Sequence, residues 1–213
     1  MKFYLIRHGR QSSKLCNVNV ELSREGYRQA ALLGERLAAY TPDLICCSDL
    51  FRAKQTAETA NLYLNCKIIV RPELREISFG DMEGMADEDI AVTYADFKAR
   101  QDLMAEDLPY PGGECGADVV RRALPFFEEM AASGYEKVAV VTHGGVIRSM
   151  TAYFLGMDLA KMRLIGNSLE NCSITEVTYL PEKKRFLLDR FNDYSHLEKY
   201  PDLLRKAWVD TEN

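Results

Sequence analysis

The sequence predicts an α/β fold, a three-layer α/β/α sandwich whose sheet is mainly parallel with an antiparallel edge strand. Apolar strand-like runs alternate with amphipathic helical segments in the first third of the chain and again between residues 114 and 155. This alternation is typical of parallel strands joined by helical crossovers. Near the C-terminal end, residues 171–180 alternate at period two and a second strand-like run comes after a short polar link. The two runs predict a hairpin, which supplies the antiparallel edge.

The elements of the first third are marked by their end residues. Ser23 and Ser48-Asp49 precede apolar residues at helical spacing, and such residues stabilise the first turn of a helix as caps. Pro42 cannot continue a helix and therefore ends the first one. We expect strands at 2–7, 43–48 and 66–70, and helices near 23–40 and 50–64.

The middle of the chain is less regular. Segment 77–113 contains Gly80 and Gly84, an acidic helix-like stretch at 87–107 and a Pro-Gly-rich end. We interpret this segment as an insertion that covers the active site within a single domain of residues 1–213. We then expect a helix near 114–132, a strand at 136–142, a helix from 144 to about 155, hairpin strands at 171–180 and 185–191, and a polar tail at 196–213 that contains Trp208.

Composition bounds the class of protein. Of the 213 residues, 47% are apolar and 28% are charged, which is ordinary globular usage. No apolar run approaches the roughly 18 residues that a membrane span needs, and the N-terminal run breaks at Arg7-His8 too early for a secretory signal. A cytoplasmic protein without a membrane partner is expected.

The charge of the chain argues against nucleic acid as a partner. The net charge is −5 and the pI is near 5.4, whereas phosphate-backbone binding needs clustered lysine and arginine. We therefore expect a small-molecule partner. The oligomeric state is not fixed by the sequence, and a homodimer is one of the open alternatives.

The six cysteines show no Cys-x-x-Cys spacing, so neither a zinc ribbon nor a redox pair is supported. Cys46 and Cys47 lie in an apolar run, where a free cysteine behaves as a small hydrophobic residue. We expect all six to be reduced core thiols. They are Cys16, Cys46, Cys47, Cys66, Cys115 and Cys172.

Two of the three histidines, His8 and His143, come directly after predicted strands and precede glycine. Ligands of open α/β sheets bind outside the carboxyl ends of the strands, so we expect both imidazoles in one crevice. With Arg7 adjacent, two groups that titrate near neutrality indicate chemistry on an anion. Taken singly, each histidine could also be structural, since strands often end in a polar residue and a turn glycine.

Further polar residues fall near the same predicted edge. Arg52 lies one turn into a helix, and its guanidinium fork fits a phosphate or a carboxylate, although most arginines are simply surface residues. A glycine-punctuated loop supplies three carboxylates, Glu76, Asp81 and Glu83.

Five ordered segments resemble the histidine phosphatase superfamily, which includes the cofactor-dependent phosphoglycerate mutases. One such segment alone is a weak match, but five in this order are specific, and the resemblance spans residues 3 to about 180. The segments are Arg7-His8-Gly9; Leu22-Ser23-x-x-Gly26-x-x-Gln29-Ala30; Ser48-Asp49-Leu50-x-Arg52-Ala53-x-Gln55-Thr56-Ala57; Leu74-x-Glu76-x-x-Phe79-Gly80-x-x-Glu83-Gly84; and Thr142-His143-Gly144-Gly145-x-Ile147-Arg148.

The resemblance implies a metal-independent phosphomonoesterase without a cofactor. His8 would be the nucleophile that becomes a phosphohistidine. Glu76 would protonate the leaving group and then activate water, with Asp81 and Glu83 as rival proton donors. The phosphoryl oxygens would be bound by Arg7, Arg52, His143 and the amide of Gly144. No metal is expected, because the arginines would raise the energy of a divalent cation.

The sequence departs from the family pattern after Gly9. Arg10 stands where many members have an acid, and Gln11 where they have a hydroxyl residue. Gln11, Ser12 and Asn17 are therefore candidate phosphate contacts whose loss would cost only about 1 kcal/mol each.

Several activities remain open. A phosphoglycerate mutase would need extra cations for a second anionic end of its substrate, but the segment from Glu83 to Asp107 has eight acids against Lys98 and Arg100. This balance favours a phosphatase acting on a neutral or cationic leaving group. A mutase, a phosphoprotein phosphatase and an inactive phosphate-binding module remain alternatives.

The third histidine, His196, lies in the stretch Asn192-Asp193-Tyr194-Ser195-His196-Leu197. A similar stretch ends phosphatases resembling α-ribazole phosphatase, which suggests that substrate. The alternative is a structural histidine that ties the tail to the body, and we favour it.

Overall fold

A six-stranded sheet forms the centre of the molecule in a computed structural model, which describes residues 1–209, with side chains up to residue 207. The order is β3-β2-β4-β1-β5-β6; β1 to β4 run parallel, and β5 and β6 form an antiparallel hairpin at one edge. The predicted sheet is therefore confirmed. The strands are β1 (Lys2–Arg7), β2 (Leu44–Cys47), β3 (Lys67–Val70), β4 (Lys137–Thr142), β5 (Ile174–Leu180) and β6 (Arg185–Asp193).

The helices cover both faces of this sheet. They are α1 (Arg24–Ala38), α2 (Phe51–Asn61), α3 (Asp87–Thr93), α4 (Ala95–Asp102), α5 (Gly116–Ala132), α6 (Gly144–Phe154) and α7 (Arg205–Val209). Short 3₁₀ turns lie at Pro72–Leu74, Gly80–Met82, Leu159–Leu164, Pro181–Lys183 and Pro201–Leu203.

The alternation of side chains along β1 shows the three layers. Phe3 and Leu5 belong to a core cluster with residues of α5 and α6, whereas Tyr4 and Ile6 belong to a second cluster with residues of α1 and α2. Because both faces of the strand are covered, its sequence is continuously apolar rather than alternating.

The acidic segment 87–107 differs from the single helix-like stretch that we expected. Its helical part is two short helices, α3 and α4, because Tyr94 between them leaves the helical conformation at φ −115° and ψ 30°. Met104 then takes a positive φ of 50°, which turns the chain after α4.

The prediction that every cysteine is a core thiol was wrong for half of them. All six are free, and Cys46, Cys47 and Cys172 are buried. The other three, Cys16, Cys66 and Cys115, are only half-buried because they lie in loops and at the start of α5.

The tail packs on the α1 and α2 face. Leu197 and Leu203 are buried in the cluster that these helices form with the sheet. The Trp208 side chain and residues 210–213, which belong to the predicted polar tail, lie outside the described residues.

No helix of the described part is long and apolar enough to cross a bilayer.

The first turn of α1 lies directly against the loop after β1. Ser23 caps the helix by accepting from the Gly26 amide, and Gln29 Oε1 accepts from the Arg10 amide at 2.7 Å. A Cβ added at Gly26 would lie 2.1 Å from the Arg10 carbonyl oxygen, so only glycine allows this approach. The contact fixes the backbone beside His8.

We expect Gly26→Ala to destabilise the protein by about 1–3 kcal/mol, because relieving the overlap must displace backbone. Helix propensity alone predicts the opposite sign, since alanine is the better helix former. Urea unfolding of Gly26→Ala and of Glu35→Ala, an exposed site on the same helix, separates the two effects. A Gly26→Ala protein as stable as the wild type would contradict the contact.

Candidate active site

Parallel pairing of β1 with β4 brings the two histidines together. Arg7 is the register partner of Thr142, so His8 and His143 come after neighbouring strands at the same level. Their ring centroids lie 5.0 Å apart. The structure therefore brings the two imidazoles together as the sequence predicts, but only His8 lines the cavity described next.

A cavity of about 710 Å³ opens above His8. Its wall combines cationic, carboxylate and amide side chains, and includes loop residues from the first half of the chain and one residue of the tail. The polar members are Arg7, His8, Gln11, Lys14, Asn17, Arg52, Glu76, Asp87, Glu88, Asn171 and Arg205.

The hydrogen bonds of His8 define its tautomer. Its Nδ1 lies 2.7 Å from the Gly9 carbonyl oxygen, which can only accept, so Nδ1 bears the proton. The lone pair is therefore on Nε2, which accepts from Arg52 Nε at 3.3 Å. This is the protonation pattern that a nucleophilic imidazole requires.

Burial, together with the charges of Arg52 and Arg7, lowers the pKa of His8 well below its usual value. A proton on this ring would add positive charge to a buried cationic site. His8 therefore stays neutral at neutral pH.

His143 is fully buried behind His8. Its Nε2 lies 2.9 Å from Ser48 Oγ, and its Nδ1 has no hydrogen-bond partner among the described residues. Burial is the main reason that its pKa is lowered well below the usual value, with Arg52 and His8 adding to the effect. Ser48 Oγ also accepts from the Leu50 amide at 3.3 Å, and its hydroxyl proton is available for His143 Nε2. In that arrangement the ring proton of His143 is on Nδ1.

Arg52 is among the largest fully buried side chains of the described residues, with 2% exposed. Its Nη1 donates to the Val18 carbonyl oxygen at 2.9 Å and its Nη2 to Asn17 Oδ1 at 2.7 Å. The loop before α1 thus fixes the guanidinium. Burial lowers the pKa of Arg52 from its ordinary value.

Arg7, the last residue of β1, contacts the loop that precedes β5. Its Nη1 donates to the Leu169 carbonyl oxygen, and its buried Nε has no partner in the described part of the chain. Burial, and then the charge of Arg205, lowers the pKa of Arg7 to about 9.

Glu76 is held by two amides. Its Oε1 accepts from the amides of Ile77 and Gly145, both at 2.9 Å. A Cβ on Gly145 would lie 2.5 Å from that oxygen, so glycine is required for the contact. Of the two rival acids, Asp81 does not line the cavity, and Glu83 accepts from Asn17 Nδ2 and the Phe79 amide.

The remaining predicted phosphate contacts are placed differently. Asn17 and Gln11 line the cavity, but Asn17 bridges Arg52 to Glu83, and Gln11 Nε2 donates to the Ser13 carbonyl oxygen at 2.8 Å. Ser12 does not line this cavity. Gly144 lines an adjoining cavity and begins α6, where its amide has no acceptor within the helix.

Sequence reasoning missed three residues of the site. Asn171 donates to the His8 carbonyl oxygen at 2.9 Å, Ser48 contacts His143, and Arg205 reaches the cavity from the tail. A signal existed for Asn171, because a residue just before an antiparallel neighbour of β1 lies at the carboxyl end of β1. No local pattern indicates Arg205, which depends on how the tail packs.

The acidic segment contributes less charge to the cavity than its sequence suggests. Of its acids after Glu83, only Asp87 and Glu88 line the cavity. Within residues 1–209, no group of three or more His, Cys, Asp and Glu side chains could hold a metal ion.

The stretch that suggested α-ribazole phosphatase lies away from the cavity. None of residues 192–197 lines it or the adjoining cavity. Asn192 instead contacts Ser168 and Glu170, and burial lowers the pKa of His196 to about 4. The stretch thus has a structural role in this fold.

Residues 3–193 match the model of the histidine phosphatase superfamily (branch 1). The metal-independent phosphoserine phosphatase of Arabidopsis thaliana is 30% identical over 214 residues, covering 94% of this chain and 85% of the relative. Glucosyl-3-phosphoglycerate phosphatase of Mycolicibacterium vanbaalenii is 32% identical over 180 residues, covering 78% of this chain and 79% of the relative. The native structure of a mycobacterial glucosyl-3-phosphoglycerate phosphatase superposes with a TM-score of 0.82 at 28% identity, covering 90% of this chain and 98% of that one.

We expect both site histidines to remain neutral well below pH 6.5, with His8 protonated at Nδ1. Nitrogen-15 NMR of the imidazoles across about pH 5–7.5 reports this directly, and the urea-unfolded chain should titrate near pH 6.5. Since the unfolded chain binds these protons more readily, the free energy of unfolding should fall as pH drops below about 6.5, by up to about 1.4 kcal/mol per unit for each histidine. Folded-state midpoints near 6.5 would refute the buried cationic site.

Proposed function

The chain belongs to the histidine phosphatase superfamily and is a phosphomonoester hydrolase, and from this premise we propose that it hydrolyses small phosphorylated metabolites through a phosphohistidine at His8. The observation that supports this most directly is the neutral His8 ring, whose Nε2 lies 3.3 Å from Nε of the buried Arg52 and whose pKa is lowered by burial and by the charges of Arg52 and Arg7. An anionic phosphoryl group and a neutral nucleophile are both favoured there.

In the first step, His8 Nε2 attacks phosphorus and the bond to the ester oxygen breaks. The guanidinium groups of Arg7 and Arg52 neutralise the phosphoryl oxygens. The imidazole becomes positively charged on phosphorylation, and the Nδ1 contact to the Gly9 carbonyl oxygen stabilises that charge.

His143 and Gly144 supply two further donors. In the tautomer in which Nε2 accepts from Ser48, the unpartnered Nδ1 of His143 bears a proton that can bind a phosphoryl oxygen. The Gly144 amide has the orientation of an anion-binding helix N-terminus. Positioned donors of this kind stabilise charge that develops in the transition state.

Glu76 transfers the protons of both steps. It protonates the leaving alkoxide as the ester bond breaks, and the resulting carboxylate then takes a proton from the water that attacks the phosphohistidine. Phosphate leaves, and His8 returns to its neutral form. The amides of Ile77 and Gly145 fix Oε1, which leaves Oε2 for the proton transfer.

The partner and location are also proposals. The cavity has the volume of a small-molecule site, which supports a metabolite rather than nucleic acid as substrate. Six free cysteines support a reducing compartment such as the cytoplasm. A homodimer stays a prediction.

We expect phosphate release from p-nitrophenyl phosphate in excess EDTA at the rate seen without EDTA, because the charges that bind phosphate come from side chains. His8→Ala should lower that rate by at least about 10⁴-fold, the scale of losing a covalent nucleophile. The measurement is steady-state phosphate release, with acid-labile phosphoprotein trapped by rapid quench.

Two results would contradict this mechanism. One is loss of activity in EDTA that added Mg²⁺ or Zn²⁺ restores. The other is turnover by His8→Ala close to that of the wild type.

We expect Glu76→Gln to slow hydrolysis of an alkyl phosphate by about 10²–10⁴-fold, the usual contribution of a positioned general acid. The first step, measured by rapid quench as the burst of released alcohol or nitrophenol, should slow much less on p-nitrophenyl phosphate, because nitrophenolate leaves without a proton. Asp81→Asn is the matched control, since Asp81 is exposed and does not line the cavity. Equal slowing of this burst on the two esters would exclude Glu76 as the acid of the first step.

A further inference from the structure

A second cavity of about 260 Å³ adjoins the one above His8. The two share Arg7, Glu76, Phe79 and Arg205 as wall residues, so a ligand can extend from one into the other. Arg148 and Arg163 complete the cationic wall, and Glu76 is the sole carboxylate among the described residues that line it. The adjoining cavity is therefore strongly positive.

Two of these arginines are fixed in place. Arg148 donates to the carbonyl oxygens of Ile165, Gly166 and Asn167, and Arg163 donates to Tyr110 Oη. Their partners are neutral, so the positive charges are not cancelled. A cavity lined by uncompensated charge of one sign attracts a counter-charge.

The guanidinium of Arg205 makes no hydrogen bond or ion pair within residues 1–207. The residue begins α7, and its amide donates to Glu170 Oε1 at 2.7 Å. It lines both cavities and is close enough to Arg7 to disfavour the charge on that residue. An anion bound between the two guanidinium groups would be attracted to both of them.

The tail that presents Arg205 is held by Arg10. The Nη2 of this buried residue donates to the carbonyl oxygens of Leu203 and Leu204, both at 3.1 Å, and of Asp202 at 3.4 Å. Gln29 Nε2 adds a bond of 2.6 Å to the Leu203 carbonyl oxygen. An acid at position 10, which many members of the family have, would repel these carbonyl oxygens. The arginine that this chain has instead can bind them and hold the tail in place.

We infer that the adjoining cavity binds a second anionic group of the substrate, a carboxylate or a second phosphate, with Arg205 as a specificity-determining residue and Arg10 as the residue that positions it. This rests on the proposed phosphatase function and names its substrate class. The acids of the segment from Glu83 to Asp107 had led us to expect a neutral or cationic leaving group. We now expect an anionic one, because three arginines from elsewhere in the chain, Arg148, Arg163 and Arg205, line the adjoining cavity.

The test compares esters with and without a second anion. Phosphate release is measured from O-phosphoserine and 3-phosphoglycerate, which carry a carboxylate, from a bisphosphate, and from p-nitrophenyl phosphate, which has neither. Arg205→Ala should raise KM for whichever class of ester with a second anion the wild type prefers. Its loss of kcat/KM on those esters should exceed its loss on p-nitrophenyl phosphate by about tenfold or more, the scale of a charge-assisted hydrogen bond. Lys206→Ala, the exposed neighbour on α7, should leave all the rates unchanged.

Arg10 should act through Arg205. Arg10→Ala is expected to reproduce the selective KM effect, and the double variant should lose little more than either single variant. Arg10→Lys should restore part of the selectivity, because a lysine can also donate to the carbonyls. Additive losses would overturn the positioning role.

Binding separates this inference from the mechanism. In a His8→Ala background, calorimetry should show that 3-phosphoglycerate or O-phosphoserine binds more tightly than phenyl phosphate, and that Arg205→Ala removes the difference. Failure of turnover with intact selective binding would refute the hydrolysis mechanism and keep the subsite. Equal binding of all the esters, or equal losses on all of them in Arg205→Ala, would overturn the subsite.

Discussion

The site depends on burying positive charge around two imidazoles that must remain neutral. Arg7 and Arg52 are kept charged beside His8 because their guanidinium groups find backbone carbonyl and amide oxygens, those of Leu169, Val18 and Asn17. These neutral acceptors satisfy the donors without cancelling the charge. A carboxylate partner would have removed the field that favours an incoming phosphate and keeps His8 unprotonated.

Sheet topology gives this electrostatic arrangement its geometry. The pairing of Arg7 with Thr142 sets the two imidazoles at one level, and the antiparallel β5 brings Asn171 to the same edge from the opposite direction. Glycines allow the supporting contacts. At Gly26 the backbone approaches the loop after β1, and at Gly145 the amide reaches Glu76. The rigid edge therefore holds groups contributed by distant parts of the chain.

The sequence was informative for functional residues that lie directly after a strand or in the first turn of a helix. His8, His143 and Arg52 could be placed because both kinds of boundary are visible in local patterns. Asn17 was predicted as a phosphate contact, but its position as a bridge between Arg52 and Glu83 depends on the fold of the loop. Arg205 could not be found, because no periodicity in the polar tail shows that it returns to the cavity.

The charge counted along a sequence segment does not give the charge around the site. The eight acids from Glu83 to Asp107 suggested an acidic surround, yet of those after Glu83 only Asp87 and Glu88 line the cavity wall. Ligand charge is decided by the groups that surround the site in space. Here those groups include Arg205 of the tail. The tail is held by its backbone carbonyl oxygens, which accept hydrogen bonds from Arg10, a buried cation two positions after His8. The proposed nucleophile and the residue proposed to position Arg205 thus lie in the same loop after β1.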